Sequence, residues 1–405
     1  MTRVVYARSV HDDAEIDACL EVLRGGPFAL KIGKNVAEME RRVADLYGKK
    51  LGLMCNSGSS ALYLALELLD LPKGSEVITS PLTFSTDVSP IVRGGWIPVF
   101  VDVEPDTYNV DVTKIEELIT EKTGAILVPN LAGNAPDWDA IREIADRHGL
   151  KVIEDSCDCI GTTLRGTKTG SRSDITVTSF AMAHIITCAG QGGMVCLDDE
   201  KLRDKGLMLR RWGRRSEPHL FGSENTGRVF REDLDGVAYD NDFIFDVLPW
   251  NFEPSELGSA FGLVQLSKLD ANYKRRAQIF EAFSAAFGAY PSLFRLPKQL
   301  EGFHTAWLCY PVTVREDAGF ARSDLQESLE GAGIDTRTVW SGNVTRHPMM
   351  RNVEYRVPEG GLPNADEVFE RGMSLGMSHG MSDEELDHVV ASIHAFASRF
   401  ATPQS

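Results

Sequence analysis

The feature that most constrains the fold is an alternation of short apolar runs with helical patterns in the first half of the chain. Segments 76–79, 97–101, 125–128 and 152–153 are typical of buried strands, and segment 140–145 has its apolar residues at helical spacing. Strands that alternate with helices form a mainly parallel sheet covered by helices. We therefore predict an α/β fold, and 405 residues, 43% of them hydrophobic, are enough for two domains.

The second half of the chain begins with a long periodic stretch at 256–287, which predicts a connecting helix or a pair of helices. A strand at 307–314 and a helix at 323–329 are predicted beyond it, so this part has the pattern of an α+β unit. The predicted divisions are an N-terminal segment 1–27, a large domain 28–255, and a connecting helix with a small C-terminal domain at 256–405.

The chain carries a formal net charge of −17, which argues against a nucleic-acid surface because phosphate backbones require clustered lysine and arginine. The sequence contains no pattern typical of a secretory or transmembrane segment. Its 7 cysteines lack the spacing of a disulfide framework or of a zinc site. We therefore expect a cytoplasmic protein with no membrane or nucleic-acid partner and no bound metal.

Two segments place polar groups where α/β sheets bind ligands. Residues 55–60 precede an apolar run of helical length at 61–69, so backbone N–H groups at this helix start are placed to bind an anion. The alternative is an ordinary helix cap. Segment 151–155 is a predicted strand that ends in acids, and ligands lie at the carboxyl edge of such sheets. Asp155 is therefore a candidate ligand-binding carboxylate, the alternative being a solvated loop acid.

His184 lies between a predicted strand and the glycine turn at 190–193. An imidazole transfers protons near neutral pH because its unperturbed pKa is about 6.5. A structural histidine is the alternative for this residue taken alone. The segment around it, 179–187, contains no lysine.

Taken together, these segments resemble the fold type I sugar aminotransferase and dehydratase family, from about residue 28 to about residue 393. His184 occupies the position of the lysine that binds pyridoxal phosphate covalently in the aminotransferases. The resemblance implies a large domain with a mainly parallel seven-stranded sheet and a smaller C-terminal α+β domain. It also implies that pyridoxal phosphate or its amine form, pyridoxamine phosphate, is the cofactor.

The resemblance assigns four residues to the cofactor phosphate. Gly58, Ser59 and Ser179 would bind the phosphate within one subunit. Asn251 matches a position that in relatives reaches the phosphate bound to the partner subunit. A homodimer with shared active sites is therefore implied.

Three further residues would hold the pyridine ring: Phe84 would stack on it, Asp155 would pair with its nitrogen, and Asp158 would face its phenolic oxygen. Asp158 is acidic where the aminotransferases usually carry glutamine. Together with the histidine, the segment 130–134 and the loop 341–348, it resembles the nucleotide-sugar 4-keto-6-deoxyhexose 3-dehydratases. The substrate implied is therefore a nucleotide-linked keto sugar.

Candidate substrate contacts come from the C-terminal part of the chain. Arg337 and Arg346 are candidates for the sugar or its diphosphate, and Asn343 lies in the loop that resembles the sugar-binding loop. Lys31 and Lys34 are weaker candidates, for which a solvated surface charge is the favoured interpretation.

One half of this dehydratase branch holds a two-iron cluster on cysteines that follow a Trp-Gly-Arg motif. The chain has that motif at 212–214 but no cysteine between Cys196 and Cys309, and such a cluster needs four thiolates. We therefore predict that an iron–sulfur cluster is absent. The other, iron-free half has a second histidine at the position of Trp212, so the chain combines features of both halves.

The function implied is removal of the C3 hydroxyl from the keto sugar, with His184 moving the proton and an amino donor such as glutamate restoring pyridoxamine phosphate. Two alternatives remain open. In one, the same cofactor bound without a covalent link transfers nitrogen to the sugar, as in an aminotransferase. In the other, less favoured, the protein is a non-catalytic sensor or scaffold. The nucleotide and the hexose are not determined by the sequence.

Overall fold

The structure is a computed structural model and describes residues 3–401. Its α-helices are α1 Asp13–Arg24, α2 Lys34–Tyr47, α3 Gly58–Leu68, α4 Ser85–Arg93, α5 Trp138–His148, α6 Glu200–Arg210, α7 Glu217–Phe221, α8 Glu256–Ser267, α9 Leu269–Gly288, α10 Arg322–Gly331, α11 Pro363–Arg371 and α12 Asp383–Ala397. Within this part of the chain, no helix is both long and apolar enough to cross a membrane.

The strands are short, as the apolar runs predict. They are β1 Leu51–Cys55, β2 Glu76–Thr79, β3 Ile97–Phe100, β4 Thr123–Pro129, β5 Lys151–Asp155, β6 Thr163–Leu164, β7 Thr167–Lys168, β8 Ile175–Ser179, β9 Gly193–Leu197, β10 Glu232–Leu234, β11 Val237–Tyr239, β12 Phe294–Arg295, β13 Phe303–His304, β14 Cys309–Val314, β15 Thr336–Thr338 and β16 Gly372–Gly376.

Seven strands form the central sheet, in the order β1-β9-β8-β5-β4-β2-β3. Only β9 runs against its neighbours, and the remaining pairs of adjacent strands are parallel. Strands β5 and β8 are buried along almost their whole length because helices cover both faces of the sheet. The predicted α/β fold with a mainly parallel seven-stranded sheet is confirmed.

The C-terminal unit contains a four-stranded antiparallel sheet in the order β12-β14-β16-β15. Helices α9, α10 and α12 pack against it around a core that includes Phe283, Tyr310 and Ile393. Because this sheet is antiparallel and helices pack against it, the unit has the predicted α+β architecture.

The periodic stretch at 256–287 is a pair of helices, α8 and α9, separated at Lys268. Helix α8 packs against α1 and α2, whereas α9 packs against α12 in the C-terminal unit. The N-terminal segment also contacts that unit, since Val4 pairs with Ile334. The division of domains at residue 256 stays a prediction.

Candidate active site

A cavity of about 640 Å³ opens at the carboxyl edge of the central sheet. The last residues of three neighbouring parallel strands line it: Pro129 of β4, Asp155 of β5 and Ser179 of β8. This is the edge at which α/β sheets bind ligands, and the volume is that of a small-molecule site.

Most of the predicted site residues meet in this cavity. Eight of the eleven line it: Gly58, Ser59, Phe84, Asp155, Asp158, Ser179, His184 and Arg337. They come from segments that are up to 279 residues apart in sequence, so the fold brings the motifs together. The three others, Asn251, Asn343 and Arg346, lie outside its lining.

One end of the cavity is built to hold an anion. Helix α3 begins at Gly58, and the Ser57 side chain caps it by accepting a hydrogen bond from Ser60 N at 3.1 Å. A Cβ atom on Gly58 would lie 2.6 Å from the Cβ of Ser179 and 3.0 Å from the sulfur of Cys157. Only glycine therefore keeps this space open beside the N-terminus of the helix, where a phosphate is favoured.

The floor of the cavity carries two of the predicted acids. Asp155 Oδ1 accepts a hydrogen bond from Cys157 N at 2.9 Å, and Asp158 Oδ2 accepts one from Ala132 N at 2.9 Å. Burial raises the pKa of both carboxyl groups, and the charge of Asp155 raises the pKa of Asp158 further. Phe84 lines the same cavity and is 59% exposed.

His184 is half-buried in the loop between β8 and β9. Its backbone N–H donates to Ala181 O at 3.0 Å, and the turn that follows uses Gly190 at a φ of +101°, which favours glycine. The Nδ1 atom of the imidazole is buried and has no hydrogen-bond partner within residues 3–401.

The surroundings of His184 favour the neutral imidazole. Desolvation lowers its pKa to about 4, the positive charge of Arg276 acts in the same direction, and the Cys157 backbone opposes the shift. At neutral pH the ring is therefore free to accept a proton, which is the state required of a general base.

The three predicted substrate residues differ in their positions. Arg337 lines the cavity, with its guanidinium 5.1 Å from the centre of the Tyr6 ring. Asn343 is 1% exposed, and its amide donates to Asp366 Oδ1 at 2.7 Å. Arg346 pairs with the same aspartate at 2.7 Å. Asn343 and Arg346 thus hold the loop to α11 in this structure, and their contacts with substrate stay predictions.

Asn251 lies on the surface of the chain, next to exposed aromatic side chains. Its Oδ1 accepts a hydrogen bond from Glu253 N at 3.4 Å, and its backbone forms a bridge with Arg211. The neighbouring Leu248 and Trp250 are 92% and 39% exposed. The role of Asn251 at a partner subunit stays a prediction.

Several residues that line the cavity have no signal in the sequence analysis. Asp87 and Arg276 are buried, although an acid in α4 and an arginine in the periodic stretch have the appearance of surface charges. Tyr6 and Arg8 come from the N-terminal segment, where no motif marks them.

Residues 10–394 match the sequence model of the DegT/DnrJ/EryC1/StrS aminotransferase family. The chain belongs to this family. The dTDP-4-dehydro-2,6-dideoxy-D-glucose 3-dehydratase of Saccharopolyspora spinosa is 36% identical in an alignment of 399 positions that covers 95% of this chain and 84% of that protein.

Solved structures of a second dehydratase are also similar. The E. coli GDP-4-keto-6-deoxy-D-mannose-3-dehydratase with bound hydrated PLP matches with a TM-score of 0.87 at 27% identity, covering 97% of this chain and 99% of that chain. A GDP-4-keto-6-deoxymannose-3-dehydratase with a trapped PLP-glutamate geminal diamine also gives 0.87 at 27% identity, covering 96% and 100%. The predicted family resemblance is confirmed.

Proposed function

We propose that this protein removes the C3 hydroxyl of a nucleotide-linked 4-keto-6-deoxyhexose, using pyridoxamine phosphate as cofactor and glutamate or a similar amine to regenerate it. The observation that carries the proposal is the neutral imidazole of His184 in a cavity whose lining, within residues 3–401, includes no lysine. A covalent link to the cofactor needs a lysine amine, whereas proton transfer needs only a base. The similar dehydratases support the same reaction.

The residues present fit this cofactor. Gly58 and Ser59 would bind its phosphate at the start of α3, with the Ser179 side chain beside them. Phe84 would cover the ring, and Asp155 would accept a hydrogen bond from the ring nitrogen. When bound, pyridoxamine phosphate supplies an amine that condenses with a ketone and an electron-poor ring that accepts electrons.

His184 would move the proton during the reaction. Its uncharged ring would accept a proton and, once charged, would give that proton to the oxygen that leaves carbon 3 of the sugar. The low pKa makes the imidazolium a strong acid, so it gives up its proton readily to a weak leaving group. The desolvated site therefore favours the acid step, and at neutral pH it keeps the ring uncharged and so able to accept the proton first.

The substrate would enter over the C-terminal domain. Arg337, which lines the cavity, is proposed to contact the sugar or its diphosphate, and Asn343 and Arg346 remain candidates on the adjacent loop. Because the nucleotides in the names of the similar dehydratases differ, the proposal leaves the base open.

We further infer a homodimer in the cytoplasm. Segment 230–250 exposes large apolar side chains, among them Phe230, Val237, Phe245 and Leu248, and such a surface is typical of an interface. Asn251 follows directly on this segment, so a second subunit seated there would receive it. All seven cysteines are free, which is consistent with a reducing compartment.

The test is product analysis of His184→Asn with a panel of nucleotide-linked 4-keto-6-deoxy sugars, pyridoxamine phosphate and glutamate. We expect dehydration to fall by about 10²- to 10⁴-fold because general acid–base catalysis is lost. Cofactor binding, followed by absorbance, should be retained. The matched control is His304→Asn, since His304 is exposed and outside the cavity lining.

Two results would contradict the proposal. One is full turnover by His184→Asn. The other is a wild-type product that has gained nitrogen at carbon 4 and kept its oxygen at carbon 3, which mass spectrometry distinguishes from loss of water and which would establish the aminotransferase alternative.

A further inference from the structure

A third carboxyl group lies in the floor of the cavity. Asp87, in the first turn of α4, is 1% exposed and lines the same space as Asp155 and Asp158. The Thr83 hydroxyl donates a hydrogen bond to its Oδ2. Its Oδ1 is buried and meets no hydrogen-bond donor in the part of the chain that the structure describes. Asp87 and Asp155 both line this space, and hydrogen bonding between their carboxyl groups is one of the causes that raise the pKa of Asp87.

In the part of the chain that the structure describes, no paired cation neutralises these three acids. Within residues 3–401, Asp87, Asp155 and Asp158 form no ion pair with a lysine, arginine or histidine. Unpaired buried charges are costly, and like charges at short range raise that cost. A hydrogen bond between two carboxyl groups also requires that one of them carry a proton.

The contacts indicate which acid holds that proton. Asp155 accepts the Cys157 N–H, which stabilises its ionised form. Burial and the charge of Asp155 raise the pKa of Asp87 well above its ordinary value. The same cavity is also lined by Arg8, His184, Arg276 and Arg337, none of which forms an ion pair with Asp87 or Asp155 in the part of the chain that the structure describes. The titratable neighbours that shift the pKa values of the pair are Asp158 and the Cys157 thiol, whose own pKa values burial also raises. Neither supplies a positive charge.

We propose that Asp87 is a positioning residue that keeps its proton and donates it in a hydrogen bond to the Asp155 carboxylate. The consequence for the cofactor rests on the function proposed above. A donor on Asp155 weakens its basicity, so the proton that Asp155 shares with the ring nitrogen stays on the nitrogen. Asp87 thereby keeps the ring electron-poor without contacting it, and its role involves no covalent change.

The first test uses the cofactor-free protein. In its infrared spectrum, Asp87→Asn should remove the absorption of one protonated carboxyl group, because the remaining Asp155 is then ionised. Asp45→Asn is the control, since the Asp45 side chain is 75% exposed and paired with Lys168. An Asp87→Asn spectrum with the wild-type carboxylic acid band would overturn the proposal, because it would show that Asp87 is ionised in the wild type.

In the second test, pyridoxal phosphate that carries ¹⁵N in its ring is bound to the protein, and protonation of the ring nitrogen is followed by NMR as a function of pH. Asp87→Leu removes the donor and should lower the ring-nitrogen pKa by at least one unit, a tenfold change in the equilibrium. Asp87→Asn retains an N–H donor and should stay near the wild-type curve. Identical shifts in both variants, or none in Asp87→Leu, would refute the role.

The two measurements separate this inference from the proposed function. If the protein bound no pyridoxal phosphate, the proposed function would fail, yet the infrared result would still decide the protonation of Asp87. If Asp87→Leu did not fold, the Asp87→Asn spectrum would decide it alone, because that substitution preserves size and hydrogen bonding.

Discussion

Gly58→Ala is the substitution whose effect follows most directly from distances in the structure. The added Cβ would lie 2.6 Å from Ser179 Cβ and 3.0 Å from both Ser179 Oγ and Cys157 Sγ. Real carbon atoms do not approach so closely, so β8 or the start of α3 must shift. Overpacking of this kind costs about 1–3 kcal/mol. For a chain of 405 residues, that corresponds to a fall of roughly 1–4 °C in the unfolding midpoint.

The larger effect is expected on cofactor affinity. The methyl group would occupy space beside the backbone N–H groups that the phosphate needs, and loss of a single charge-assisted hydrogen bond costs about 1.5–3 kcal/mol. Titration of the apo-protein with pyridoxal phosphate, followed by absorbance, should therefore show a Kd raised by about 10- to 100-fold.

The control for this prediction is Gly331→Ala, at the end of α10, where an added Cβ meets nothing within 4 Å. It should leave cofactor affinity unchanged and alter stability by less than about 1 kcal/mol. A Gly58→Ala protein that bound pyridoxal phosphate as tightly as the wild type would refute the assignment of the phosphate to this end of the cavity. A loss of stability without a change in Kd would show that Gly58 serves packing alone.

Two further predictions concern protons and subunits. Because the pKa of His184 falls from 6.5 to about 4 on folding, its contribution to stability is present above pH 6.5 and is lost as the pH falls toward 4. Urea unfolding should show that the free energy of unfolding falls between pH 7 and pH 4 by up to about 3 kcal/mol less in His184→Asn than in the wild type. An equal fall in both proteins would contradict the low pKa. If Asn251 completes the partner's site, His184→Asn and Asn251→Ala should each be inactive, whereas random mixed dimers should recover about a quarter of wild-type activity. No recovery on mixing would contradict a shared site.

The sequence predicted the parts of the site that depend on local pattern. Strand 151–155 and its final acid were predicted from apolar residues followed by carboxylates. The helix after 55–60 was predicted from the small residues of that segment and from the length of the apolar run that follows. The fold follows from the same patterns, since β2 has the predicted bounds and β3 differs by one residue.

The remaining parts of the site depend on long-range packing, which local pattern does not record. Arg276 has helical spacing typical of a surface residue, yet it is 2% exposed because its guanidinium donates to Trp307 O and Leu308 O, which follow it in sequence by 31 and 32 residues. Asn343 was predicted from a resemblance to a sugar-binding loop, and the position of Asp366 on α11 decides where its amide points. Neither contact has a signature in adjacent residues.

The protonation of the cavity resolves an electrostatic difficulty in the proposed function. The chain has a net charge of −17, but both the cofactor and the nucleotide sugar carry phosphates. Three ionised carboxylates beneath them would add to the repulsion, since buried charges are weakly screened. Burial instead raises the pKa of Asp87, Asp155 and Asp158, while His184 stays neutral. Because Asp87 keeps its proton, the pair that it forms with Asp155 carries one negative charge instead of two. That charge lies on Asp155, where the ring nitrogen of the cofactor would offset it.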